Sequence, residues 1–119
     1  MYGRELILDL HGCPGPFTRK AISVFMVELC DLLGMARAEL HFWDYDDVEE
    51  RAAAPAHLAG ISAVQFITTS NVTIHTLDKL GAVYLNIFTC AALDRNAVEG
   101  FCMNYWKGEV VESTLLARQ

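Results

Sequence analysis

Three β-type segments follow one another in the middle of the chain, with very short links between them. They cover residues 61–68, 72–77 and 82–88 and are rich in β-branched and aromatic residues, which favour strands. Consecutive strands with links this short pair antiparallel, because a parallel pairing needs a long crossover. The block therefore predicts a three-stranded antiparallel sheet, and the rest of the chain must be arranged around it.

Two helices are predicted, one before this block in the chain and one after it. The first begins near Thr18, a residue typical of a helix N-cap, and stops at Gly34. The second covers residues 94–106 and ends at Gly108. The apolar residues of the first helix recur at helical spacing and predict one buried face, made of Ile22, Phe25, Met26, Leu29, Leu32 and Leu33.

Strand patterns occupy most of what remains and define the fold class. They cover residues 5–10, 38–45 and 109–115, while residues 46–60 read as an acidic, alanine-rich loop that contains a proline. The order predicts an α+β fold, an antiparallel sheet with both helices packed on one face. We expect a single domain over residues 1–119, with a second copy of the chain covering the other face of the sheet.

Composition and charge restrict the class of partner. Hydrophobic residues make up 53% of the chain and charged residues 20%, which is typical of a globular protein. The net charge of −6 and the scattered basic residues argue against nucleic-acid binding. No apolar run is long enough to span a bilayer, and an acidic residue, Glu5, interrupts the place of a secretory signal. We expect a cytoplasmic protein that binds no membrane.

Two cysteines and two aromatic residues are interpreted as structural. The four cysteines form no C-x-x-C pair, and no metal-ligand set is evident, so no metal is expected. Cys30 and Cys102 lie within apolar helical patterns and are predicted to be buried thiols. Phe42 and Trp43 are interpreted as core residues.

Three reactive side chains lie at characteristic offsets around one serine. Ser62 lies eight residues before Ser70, His75 five after it and Cys90 twenty after it. This pattern, with the surrounding segments 68–76 and 88–90, resembles the self-processing centre of the prokaryotic S-adenosylmethionine decarboxylases. In that family the corresponding serine becomes a pyruvoyl cofactor. Taken alone, Ser70-Asn71 is also a good turn pair.

The resemblance implies a role for each of these residues. It implies cleavage between Thr69 and Ser70, with the Ser70 hydroxyl as nucleophile and the pyruvoyl group formed from Ser70. Ser62 and His75 would assist the cut, serving the centre of the partner subunit in a homodimer. Cys90 would donate a proton in turnover, after the pyruvoyl ketone forms a Schiff base with the substrate.

The resemblance also implies a substrate and a fold. The substrate is S-adenosylmethionine, decarboxylated for spermidine synthesis, and Asp9 on the first strand would receive its positive group. The fold is a β-sandwich flanked by helices and assembled as a dimer.

The sequence departs from the family pattern at two places. Thr69 stands where the family usually has glutamate, and residues 77–79 stand where it has tryptophan, proline and a ribose-binding glutamate. Lys79 cannot accept a hydrogen bond, so it cannot replace that glutamate. Binding of the ribose then requires that Asp9 or an acid of residues 44–50 takes over. Three hypotheses remain open: an S-adenosylmethionine decarboxylase with a rearranged pocket, a pyruvoyl decarboxylase of arginine or ornithine, and an uncleaved relative that binds or regulates.

Overall fold

The protein forms one six-stranded antiparallel sheet with helices on one face. The computed structural model describes residues 2–119. Its strands are β1 (Gly3–His11), β2 (Arg37–Trp43), β3 (Gly60–Ile67), β4 (Ser70–Leu77), β5 (Ala82–Thr89) and β6 (Glu109–Arg118). Its helices are α1 (Arg19–Leu33), α2 (Val48–Ala53) and α3 (Arg95–Trp106). The predicted α+β fold is confirmed, with one helix more than the two expected.

The strand order β2-β3-β4-β5-β1-β6 places the first strand of the chain between the last two. The central hairpins β3–β4–β5 pair antiparallel as predicted, and β1 pairs with β5 and with β6. Alternate residues of β1, Leu6, Leu8 and Leu10, are completely buried against the helices. The intervening residues lie on the opposite face, which we call the open face because no helix of the described chain covers it.

Helix α1 has the ends that the sequence predicts. The Thr18 side chain accepts a hydrogen bond from the Ala21 amide, and Gly34 takes the left-handed conformation that closes the helix. Ile22, Phe25, Met26 and Leu29 are buried as expected, whereas the prediction for Leu32 is wrong, since it is 46% exposed.

The structure corrects two further predictions about helices. Residues 46–60, predicted as a loop, contain α2, which begins after an N-cap at Asp47 and buries no residue of its own. Helix α3 ends at Trp106 as predicted, but its C-cap is Lys107, which adopts the left-handed conformation, rather than Gly108.

Gly60, where β3 begins, allows an unusually close approach to β4. A β-carbon at this position would lie 1.6 Å from the Thr76 carbonyl oxygen, so only glycine fits. Because β3 carries Ser62 two residues later, this contact helps to fix the position of one candidate site residue.

Candidate functional site

A two-residue turn joins β3 to β4 immediately before the candidate nucleophile. Ile67 pairs with Ser70, so Thr68 and Thr69 alone make the turn. Thr69 has a φ of 53°, in the left-handed region that β-branched residues rarely adopt. Its hydroxyl donates a hydrogen bond to the Thr68 carbonyl at 2.8 Å. Thr69, the residue directly before Ser70, is therefore held in a strained backbone conformation.

Ser70 is the first residue of β4, and Cys90 is the residue that follows the neighbouring strand, β5. The Cys90 amide donates to the Ser70 hydroxyl oxygen at 3.3 Å, and the Cys90 thiol lies 3.6 Å from the Thr69 carbonyl oxygen, to which it can donate. Ser70 is only 6% exposed. We call Thr69, Ser70 and Cys90 the turn cluster; it combines a nucleophile, a carbonyl group and donors aimed at both.

Cys90 differs from the other three cysteines in exposure and in chemistry. It is exposed, whereas Cys13, Cys30 and Cys102 are buried, as predicted for the last two. Burial raises the pKa of the Cys13 and Cys30 thiols and that of Cys102 to about 12, which keeps them protonated and inert. Of the four, Cys90 is the one placed to exchange protons with a bound molecule.

Ser62 and His75 face each other across the β3–β4 ladder. Their residues are directly paired, and the Ser62 hydroxyl oxygen lies 2.7 Å from His75 Nδ1, within hydrogen-bond distance. Both side chains lie on the open face, with His75 exposed. The structure thus brings these two predicted residues together as a second pair.

The strand register extends this pair into a row that crosses the whole sheet. Adjacent residues in such a row have β-carbons about 4.5–5.5 Å apart. One residue from each strand takes part, in the spatial order Trp43, Ser62, His75, Tyr84, Asp9 and Glu112. We call this set the histidine row.

The histidine row contains one predicted substrate residue and several that the sequence does not reveal. Asp9 lies two strands from His75, roughly 10 Å away at the usual strand spacing. Trp43, interpreted as a core residue, is 63% exposed on the open face, while Phe42 packs against the core as expected. Tyr84 faces His75 across the predicted β4–β5 pairing, whereas Glu112 has no signal in the sequence, because its position depends on β1 being inserted between β5 and β6.

A cavity of about 360 Å³ opens beside this row. Its walls come from the end of β2, from β3, β4 and β5, and from the segment after α2, and they include Trp43, His57, Leu58, Ser62, His75 and Tyr84. An aromatic and imidazole lining with one paired serine suits a small organic molecule with polar groups. His57 carries no signal in the sequence that would assign it to this site.

The turn cluster and the histidine row do not meet within one chain. The side chains of Ser70 and His75 point to opposite faces of β4, since the two residues are five positions apart and side chains alternate along a strand. Five residues along a strand also separate them by roughly 16 Å. The four predicted catalytic residues therefore form two pairs, Ser70 with Cys90 and Ser62 with His75.

Asp78 and Lys79, where the resemblance leads us to expect a ribose-binding segment, make contacts with other parts of the chain. Asp78 accepts two hydrogen bonds from the Arg51 guanidinium, at 2.6 and 2.5 Å, and the Lys79 ammonium donates to the Ala54 carbonyl at 2.5 Å.

Two acids of residues 44–50, which could have substituted for that segment, are also engaged. Asp44 pairs with Arg19, whose hydrogen bond lowers the Asp44 pKa, and Asp47 caps α2.

Within residues 2–119, no group of three or more metal-binding side chains comes together. None of the helices there has the length and apolar character needed to cross a membrane.

The fold and the sequence together define the class of protein. The family model for S-adenosylmethionine decarboxylase matches residues 4–119, so the chain belongs to that family. Its sequence is 31% identical over 90 residues to an S-adenosylmethionine decarboxylase proenzyme of Caldicellulosiruptor saccharolyticus, covering 74% of this chain and 64% of that protein. It is 29% identical to the proenzyme of Clostridium kluyveri, with 74% and 63% covered. The match thus spans just under two thirds of these relatives.

The fold is also that of a solved structure. The crystal structure of the adenosylmethionine decarboxylase from Aquifex aeolicus superimposes with a TM-score of 0.77 over 98% of this chain and 90% of that one. At 12% sequence identity, this likeness establishes the fold alone.

Proposed function

We propose that the chain cuts itself between Thr69 and Ser70 and then decarboxylates S-adenosylmethionine for spermidine synthesis in the cytoplasm. The observation that carries the proposal is the turn cluster, in which the strained Thr69 precedes a buried Ser70 and Cys90 contacts both residues. Membership of the family and the proenzyme names of the relatives agree with this proposal.

Each residue of the turn cluster has a task in the cut. The Ser70 hydroxyl attacks the Thr69 carbonyl carbon, forming an ester and freeing the Ser70 amine, while the left-handed strain at Thr69 is released. The Cys90 thiol donates to the carbonyl oxygen as it gains negative charge. Elimination then breaks the ester, leaving a carboxylate on Thr69 and dehydroalanine at residue 70, which takes up water and loses ammonia.

In turnover the residues of this chain bind substrate and move a proton. The pyruvoyl group, once formed from Ser70, supplies a ketone that acts as the electron sink for decarboxylation. The site fits that group, since Cys90 contacts the same serine from which it is made. Cys90 returns the proton to the product, and Asp9 in the histidine row receives the positive substrate group.

The separation of the two pairs supports a homodimer with crossed sites. The open face carries apolar and aromatic side chains, including Phe66, Trp43 and Leu116, which are 44%, 63% and 43% exposed. Large exposed apolar patches are unusual on monomers. Stacking a second copy on this face forms a sandwich of two sheets, in which Ser62 and His75 of each copy serve the turn cluster of the partner.

Asp78 and Lys79 favour one alternative substrate class. Because both are tied to α2, neither is free to hold the ribose hydroxyls of S-adenosylmethionine. A pocket without that contact also suits a cationic amino acid that has no ribose, such as arginine or ornithine. An uncleaved relative with a binding role is the third possibility.

Carbon dioxide release distinguishes these functions. We expect the purified protein to release CO₂ from S-adenosylmethionine, and Ser70→Ala to abolish both cleavage and turnover. Cys90→Ala should still be cut, but more slowly, because the thiol that donates to the Thr69 carbonyl oxygen is lost. It should also turn over slowly or divert to transamination. Activity on arginine or ornithine alone would instead identify the alternative class, and no activity on any of the three by a cleaved protein would contradict both.

A further inference from the structure

Polar contacts at the C-terminal end of α2, and in the residues just after it, hold this segment to the rest of the fold. Arg51 donates two hydrogen bonds to Asp78 and one, at 2.9 Å, to the Phe17 carbonyl. Lys79 donates to the Ala54 carbonyl, and the Asp78 amide donates to the Ala59 carbonyl at 2.8 Å. We call Arg51, Ala54, Asp78 and Lys79 the α2 clamp.

Helix α2 depends on this clamp for its position. It has six residues and buries none of them, whereas isolated helices shorter than about 12 residues are marginal in water. Hydrophobic packing therefore does not fix it. The Arg51 and Asp78 side chains are only 23% and 30% exposed and meet in a two-point contact, a geometry in which an ion pair contributes more than at an open surface.

The segment that the clamp holds forms one wall of the cavity beside the histidine row. His57 and Leu58 line that cavity together with Ser62 and His75. The Tyr45 hydroxyl donates to the Leu58 carbonyl at 3.1 Å, and Ala59 is completely buried. The Leu58 and Ala59 amides both donate to the carbonyl of Pro55, the residue after Ala54, so a shift of α2 would move this wall relative to His75.

We propose that the α2 clamp positions the cavity wall and so sets the affinity for substrate, without taking part in the self-cleavage. Its members are positioning residues, and the inference rests on the proposed decarboxylase function. Asp78 and Lys79 follow β4 at the end opposite to Ser70, roughly 26 Å along the strand, so the clamp is remote from the turn cluster.

The test measures cleavage, KM and kcat for Asp78→Asn and Lys79→Met. We expect both to be cut as fast as the wild type, with kcat within about twofold and KM raised about tenfold, the effect of losing one charged hydrogen bond. Lys79→Arg, and the exchange of charges in Arg51→Asp with Asp78→Arg, should restore much of the affinity. Glu99→Gln, which removes a half-buried ion pair on α3, is the matched control and should leave KM unchanged.

Hydrogen exchange gives a readout that does not require activity. Residues 47–59 should exchange faster in Asp78→Asn than in the wild type, while β1 and β5 keep their protection. An unchanged KM, or a lower kcat at constant KM, would overturn the proposal, as would unchanged exchange in residues 47–59. A wild-type chain that neither cuts itself nor releases CO₂ would contradict the proposed function, and hence the clamp's role in affinity. The exchange data test whether the clamp holds residues 47–59 in place, independently of any activity.

Discussion

Thr69 is the residue at which local conformation and proposed chemistry coincide. A β-branched residue in the left-handed region costs about 1–2 kcal/mol. In the proposed cut, that cost is borne by the uncut chain and is released when the peptide bond becomes an ester. The strained backbone torsion thus belongs to the residue whose carbonyl the proposed reaction attacks.

Replacing Thr69 with glycine should therefore slow the cut. Glycine adopts the left-handed conformation without strain, so about 1 kcal/mol of ground-state destabilisation is lost and cleavage slows about fivefold. The rate is followed by gel electrophoresis of freshly made protein. Thr68→Gly is the matched control, since it adds the same flexibility at a turn residue whose φ is not positive. Equal cleavage rates for Thr69→Gly and wild type would show that the strain is not used.

At the scale of elements, β3 and β4 must approach closely for Ser62 and His75 to meet. Gly60 permits this approach, whereas a methyl group added at Gly100, in the middle of α3, would have no atom within 4 Å. The two glycines therefore differ in what an added side chain would meet, although both belong to regular secondary structure.

Gly60→Ala should destabilise the protein, and Gly100→Ala should not. The first places a methyl group into the Thr76 carbonyl, forcing β3 to shift at a cost of about 1–3 kcal/mol. The second replaces a helical glycine in open space and should stabilise the fold by up to about 1 kcal/mol. Thermal unfolding measures both. Equal melting temperatures for the two variants would mean that the strands can separate at no cost.

The elements that the sequence predicts well are those with a local signal. Thr18 and Gly34 mark the ends of α1 because a cap is a contact between near neighbours in the chain. Helix α2 escapes prediction because six residues with no buried face leave no apolar period, and its position depends on contacts with Asp78 and Lys79, more than 20 residues away. Leu32 is assigned wrongly because the buried face of α1 is narrower than its apolar pattern.

At the scale of the whole molecule, the candidate site divides into two clusters. The sequence offsets of Ser62, Ser70, His75 and Cys90 predict the participants but not this division. The sequence does contain one signal of this division, because the odd offset between Ser70 and His75 places them on opposite faces of a strand. The histidine row cannot be predicted, since Asp9 and Tyr84 become neighbours only when β1 enters between β5 and β6.

A crossed dimer predicts that two defective chains repair each other. His75→Ala alone should cut itself on the order of 100-fold more slowly, through loss of proton transfer. When it is co-expressed with Ser70→Ala, mixed dimers form in which the intact Ser70 of one chain meets the intact His75 of the other, and the His75→Ala chain should be cut.

The control for this repair is a partner with both substitutions. Ser70→Ala with His75→Ala forms the same mixed dimer but offers no histidine, so the His75→Ala chain should stay intact. Repair by both partners, or by neither, would contradict the crossed arrangement, and a monomer in light scattering at micromolar concentration would contradict the dimer itself.

The central claim is that the turn cluster cuts the chain, and the mass of the purified protein tests it most directly. Intact-mass spectrometry should find a chain of residues 1–69 and a chain made from the remaining 50 residues, 119 − 69, with a blocked pyruvoyl start. Ser70→Ala should give one uncut chain of about 13.2 kDa. The same single chain from wild-type protein after long incubation at neutral pH would contradict the account.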